Sequence, residues 1–165
     1  MFAVVESYIK TKFDELNQNY DTGIKINQIT NDLQLGQIAA SQADVNWQMF
    51  LENFDYTNYL ESLGWFTIDV RLDMFFQIAG KDNTIYKSKY DDYIYPLAKS
   101  FWEDASGFDY STGDNSNIKL LRINSLSVNN GDRFENDYYN PSMILNITGF
   151  DETNGRVSGT EEGYI

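Results

Sequence analysis

Residues 64–80, "GWFTIDVRLDMFFQIAG", place an apolar side chain on every second position: Phe66, Ile68, Val70, Leu72, Met74, Phe76 and Ile78. Thr67, Asp69, Arg71, Asp73 and Gln77 lie between them. A strict period of two predicts a half-buried β-strand with one continuous apolar face. At the usual rise per residue the strand runs ~45 Å, well beyond the common five or six residues. Part of it is therefore expected to project as a hairpin beyond the main sheet. The apolar face needs a lid, and the polar face meets water or another subunit.

The preceding segment "VNWQMFLENFDY" (45–56) fits either period. Trp47, Met49 and Leu51 alternate as in a strand, whereas Trp47, Phe50, Leu51 and Phe54 fit a helix. The strand reading is preferred, because the long strand follows within ten residues and needs a partner; "TNYLESLG" (57–64) then closes an antiparallel hairpin. Upstream, Val5, Ile9, Phe13, Leu16 and Tyr20 line one face of a helix over residues 2–20, with Glu6, Lys10, Lys12, Asp14 and Glu15 elsewhere around it. Gly23 marks its end, "GIKINQI" (23–29) reads as a short strand, and "NDLQLGQIAASQAD" (31–44) as a loop with at most a helical turn.

Downstream, Tyr90, Tyr93, Ile94, Leu97, Phe101 and Trp102 follow the helical period. Asp91 and Asp92 suit the positive end of the helix dipole. Pro96 either bends this helix or begins it, with Tyr90 to Tyr95 as a separate turn, and Gly107 stops it. The polar run "DYSTGDNSN" (109–117) leads to strands at "IKLLRINSLSV" (118–128) and "PSMILNITGF" (141–150), joined through the turn signal "NNGD" (129–132). The order helix, strand, strand, long strand, helix, strand, strand predicts an α+β fold. It is an antiparallel or mixed sheet of about four to five strands with two helices packed on one face. Residues 1–150 form a single domain and 151–165 a flexible acidic tail.

The 165 residues carry a formal charge of −13, from 25 acidic and 12 basic side chains, and no clustered Lys or Arg. That balance argues against specific nucleic-acid binding, which rests on phosphate neutralisation. With 42% hydrophobic residues, twelve Tyr, eleven Phe and three Trp, a packed core and aromatic contact surfaces are expected. There is no Cys and no His. Disulfides, thiolate or imidazole zinc sites and His-assisted nucleophiles are therefore excluded. No signal-peptide pattern or membrane span is visible, so the expected setting is a cytosol.

Candidate chemistry reduces to carboxylates and tyrosines. Asp69, Arg71 and Asp73 share one strand face. Two carboxylates read as about 7 Å apart would suit a divalent cation, but a solvated face with an internal charge pair is the plainer reading. The doublets Asp91–Asp92 and Glu103–Asp104 point to different sides of a helix and do not converge on one substrate atom. The runs 109–117 and 129–137 lack the calcium-loop spacing and read as turns. Tyr90, Tyr93 and Tyr95 suit a core face, a subunit interface or a stacking surface. No catalytic, cofactor-binding or metal-ligating residue is assigned.

This arrangement resembles the tail-terminator and neck (head–tail connector) ring proteins of tailed bacteriophages. The resemblance rests on "VVESYIKTKFDEL" (4–16), "FTIDVRLDMFF" (66–76), "YDDYIYPLAKSFWEDA" (90–105) and the strand pair 118–128 and 142–148, and covers residues 1–150. Residues 31–55 and the tail depart from the family's compact form. The resemblance implies a non-enzymatic structural protein of the virion, assembled in the host cytoplasm. Six or twelve copies would form a ring against portal, connector or tail proteins, around a channel through which DNA passes without sequence-specific binding. It implies no membrane partner and no cofactor. The alternatives are a monomeric protein- or carbohydrate-binding module and, more remotely, a carboxylate- and metal-dependent enzyme.

Overall fold

A computed structural model describes residues 1–20, 25–29, 43–56, 64–77, 87–112, 115–130 and 138–152. The long alternating stretch is strand β3 (Trp65–Gln77), and its partner is strand β2 (Val45–Tyr56), which settles the ambiguous segment as β. Phe66, Ile68, Val70, Leu72, Met74 and Phe76 are all buried in one core. Over them pack helix α1 (Phe2–Tyr20) and helix α2 (Tyr95–Trp102), through Val5, Ile9, Phe13 and Leu16 of the first and Leu97 and Phe101 of the second. The Phe13 ring stacks on Trp47 of β2 at 4.8 Å, joining helix to sheet directly. No helix among the described residues is long and apolar enough to cross a membrane.

The sheet is mixed and larger than expected. Besides β2 and β3 it contains β1 (Ile26–Gln28), β4 (Tyr110–Thr112), β5 (Asn115–Asn129), β6 (Tyr138–Tyr139) and β7 (Ser142–Asp151). The order is β1-β2-β3-β7-β5-β4, with β6 pairing the far end of β3. The estimate of four to five strands is thus corrected to seven among the described residues. The two additions, β4 and β6, are three and two residues long. Strands that short show no periodicity; their ladder bonds come from the neighbour they meet. β4 lies inside the polar run 109–117, and β5 begins at Asn115 within the same run, where Thr112 pairs Asn115.

β1 pairs β2 in parallel, Ile26 opposite Val45, whereas every other pair is antiparallel. The described hairpin does not project. β3 is flanked by β2 from Phe66 to Phe75, by β7 from Trp65 to Asp73 and by β6 at Phe76 and Gln77. Three strands share its length, so both its edges are paired. The loop 57–63, Ile78, most of 31–44, the turn after Asn130 and the tail from residue 153 lie outside the described residues.

Pro96 falls in the first turn of α2, where its missing N–H is not needed. A π turn at Tyr90–Ile94 precedes it and is closed by the Tyr95 N–H donating to the Tyr90 carbonyl. Residues 87–89 are helical too, so helix lies on both sides of the π turn, and the widened turn absorbs the mismatch at the proline. A 3-10 turn (Glu103–Ser106) follows, ended by Gly107 at φ 120°, a left-handed conformation that suits glycine.

Candidate interaction surfaces

The face of the sheet opposite the helices carries the polar residues of β3. Two β-bulges decide what meets them. In β2 the register slips between Leu51 and Phe54, so Glu52 and Asn53 both lean over β3. In β5 it slips between Ile123 and Ser125, which brings Asn124 over β7. The outcome is a polar ladder across four strands. Asn53 donates to Asp69 Oδ2 at 3.0 Å, Asn146 to Asp69 Oδ1 at 2.7 Å, and Asn124 to Asn146 Oδ1 at 2.8 Å and Thr148 Oγ1 at 2.6 Å. Arg122 Nε completes the row on Asn124 Oδ1 at 2.9 Å.

One residue pair further along, Arg71 is bound by Glu52, lies with its guanidinium carbon 4.4 Å from the centre of the Phe50 ring, and holds Nε 3.2 Å from Asp73 Oδ1. Burial pushes the Asp73 carboxyl up from its ordinary value; Arg71 pulls it back and Glu52 adds to the rise. Asp69 and Asp73 stand four residues apart on one strand, about 13 Å, so the 7 Å reading is corrected by strand pitch. Both oxygens of Asp69 accept amides, and Asp73 faces Arg71. Among the described residues no group of three or more acidic side chains is placed to hold a metal ion.

The other candidates separate. Asp91, Asp92 and Glu103 are exposed. Asp104 turns inward and accepts from the Tyr8 hydroxyl at 2.6 Å and from Lys12 Nζ at 2.9 Å. Lys12, assigned by sequence to the polar side of α1, is only 7% exposed. Its ammonium also donates to the Ser100 carbonyl at 3.0 Å, so its interior position is one where it is paired and hydrogen-bonded. Burial first, and the bond to Asp104 second, push the Tyr8 phenol far above its ordinary 10.0. Above that value the unfolded chain loses the proton and native Tyr8 keeps it, so stability falls with rising pH. This group alone contributes about 1.4 kcal/mol per pH unit. Urea midpoints measured from about pH 9.5 to 11.5 should show that extra slope in the wild type and its loss in Tyr8→Phe.

Of the three tyrosines, Tyr90 and Tyr93 pack against the core, whereas Tyr95 is 58% exposed. Trp102, 55% exposed, lies seven residues on, and exposed Lys99 lies between them. Positions i, i+4 and i+7 form one stripe of α2, turned away from the core that Leu97 and Phe101 enter.

Compared with known proteins, the chain matches no family model and no curated protein.

A cleft of about 410 Å³ opens at one end of the sheet, walled by Met1, Leu51, Phe54, Tyr56, Ile68 and Ile118, with Glu52 and Asp151 as its carboxylates. Phe54 and Tyr56, just past the β2 bulge, are exposed at its rim and contact each other edge to face at 5.0 Å. Sequence reasoning found the polar residues of β3 but missed the ladder partners and the inward turn of Asp104 onto Tyr8 and Lys12. Both depend on bulges and turns that leave no periodic trace. Trp102, assigned by sequence to the face of Ile94, Leu97 and Phe101, is corrected to the exposed side, where it joins Tyr95.

Proposed function

We propose that this chain is a non-catalytic structural subunit that assembles side by side into a ring, of the kind that forms the neck or tail terminator of a tailed bacteriophage. One observation carries this reading: two unlike exposed patches lie on opposite sides of the layered fold. The sheet face offers Arg71, Phe50, Ile144 and a pre-bonded polar ladder, and α2 offers Tyr95, Lys99 and Trp102. A head-to-tail ring needs two different patches on every subunit, each meeting the other on a neighbour. Tyr, Trp and Arg are the residues enriched in such contacts. A net charge of −13 around a channel would let DNA pass without adhering. Residence in the virion and contact with portal or tail proteins follow from the same reading.

The open cleft favours a second reading, a monomeric protein- or carbohydrate-binding module, since its size lies in the range of ligand pockets. Light scattering coupled to size exclusion, with and without EDTA, followed by negative-stain imaging, separates the two. The ring reading expects a species of six or twelve times the 19.1 kDa subunit mass, unchanged by EDTA. A monodisperse monomer at every concentration and salt would favour the module, and a mass that falls with EDTA would point to a metal site.

A further inference from the structure

We infer that the ring contact is made by the exposed stripe of α2 on one copy seated across the polar face of the sheet on the next, with Lys99 set among the carboxylates around Arg71. This rests on the ring reading above and names the two surfaces it would use.

Spacing is the first argument. Tyr95 and Trp102 are seven residues apart, about 10.5 Å along a helix. On the sheet, Phe50 of β2 and Ile144 of β7 both pair with Arg71 of β3, so they flank it in one row. Two strand spacings separate them, about 9.6 Å. A helix laid across the strands thus puts one aromatic anchor over each apolar side chain, with the space between them over β3. Ile144 is 39% exposed in the middle of its strand and is the only aliphatic among the exposed large hydrophobics of the described residues. A contact of this kind gives it a covered apolar neighbour.

Charge is the second argument. Glu52 and Asp73 flank Arg71, two carboxylates against one cation, and Asp69 lies two residues away on the same face of β3. Lys99 occupies the centre of the stripe, between its two aromatics. Seating it there brings a cation to a site with excess negative charge, and the flanking rings exclude water from the pair. Placing Tyr95 over Ile144 and Trp102 over Phe50 also sets the helix direction. Asp91 and Asp92 then turn toward β5, whose Ser127 continues the row beside Ile144. The opposite direction would carry these two acids toward β2 and its Glu52. Polarity therefore selects one of the two orientations.

Complementation tests it. One variant, Tyr95→Gln/Trp102→Gln, loses the stripe and keeps the sheet face; the other, Ile144→Lys, loses the sheet face and keeps the stripe. All three positions are exposed, and unfolding midpoints close to wild type confirm that both variants fold. Each alone is expected at the monomer mass by light scattering, and an equimolar mixture is expected to form a two-copy species and nothing larger. As an independent check, carbodiimide coupling of an isotope-mixed wild-type sample should yield an amide between Lys99 of one copy and Asp69, Asp73 or Glu52 of another. Lys99→Glu should weaken assembly at least tenfold. Should both variants form the wild-type ring, this contact is wrong and the ring reading stands. Monomeric variants that fail to pair on mixing also overturn the contact. A wild type that is monomeric throughout removes the ring reading itself.

Discussion

Asp104→Ala is expected to lower the free energy of unfolding by about 3–5 kcal/mol, the usual cost of removing one partner from a buried ion pair. The carboxylate does two things at once. It balances Lys12, whose ammonium is 2.9 Å away and nearly sealed from solvent, and it accepts the Tyr8 hydroxyl at 2.6 Å. Deleting it leaves the ammonium with the Ser100 carbonyl at 3.0 Å and Glu15 at 3.6 Å, the latter close to water. The penalty is thus that of a buried charge short of its counter-charge, rather than the loss of an attraction. That distinction is testable. Lys12→Met in the Asp104→Ala background removes the stranded charge and keeps the apolar stem, so the double variant should recover more than half of the loss. A urea double-mutant cycle reads both numbers. Simple additivity of the two single losses would show that Lys12 and Asp104 do not interact energetically and would overturn this account.

Gly149→Ala is expected to cost about 3 kcal/mol and to lower the melting temperature by about 6–12 °C for a chain of this size. Gly149 pairs with Phe66 on β3 and with Leu120 on β5, on the buried face. A Cβ there would stand 2.3 Å from Phe66 Cζ and 2.7 Å from the Lys119 carbonyl oxygen. The ring is fully buried and stacked on Phe54 at 5.4 Å, so it has little room to swing away. The carbonyl belongs to the β5 backbone and cannot yield without disturbing the register slip between Leu120 and Arg122. Glycine inside a strand here marks a close approach of ring and backbone. Phe66→Leu added to Gly149→Ala should therefore restore little, because the carbonyl conflict persists. Full recovery in that double variant, measured by thermal unfolding, would assign the whole cost to the ring.

The two losses fall on residues that the sequence presents very differently. Gly149 ends an apolar run and reads as strand, with nothing to show that a ring lies across it. Asp104 reads as half of a helix-end doublet, and only the 3-10 turn after α2 rotates it inward while Glu103 stays exposed. Lys12 reads as part of the polar side of α1, yet the turn that brings Asp104 and Ser100 beside it comes from almost ninety residues away. Hydrogen bonds across such separations depend on how elements dock, which the spacing within either element does not encode.

From residues alone, the strand seen at Trp65–Gln77 and the helices around Val5 to Leu16 and around Leu97 to Phe101 were determined. Burial on one face imposes a period of 2 or 3.6 that is written along each segment. The same logic put Asp69, Arg71 and Asp73 on the open face. Only the tertiary structure decided that β1 runs parallel to β2, that β7 and not β5 lies beside β3, and that two-residue β6 completes the far end. It also decided the bulges that turn Glu52, Asn53 and Asn124 into the partners of that face. Strand neighbours are chosen by hydrogen bonds between backbones, which are alike at every residue but proline. Which backbone meets which is set by the packing of the whole core, and no single stretch of the chain contains that information.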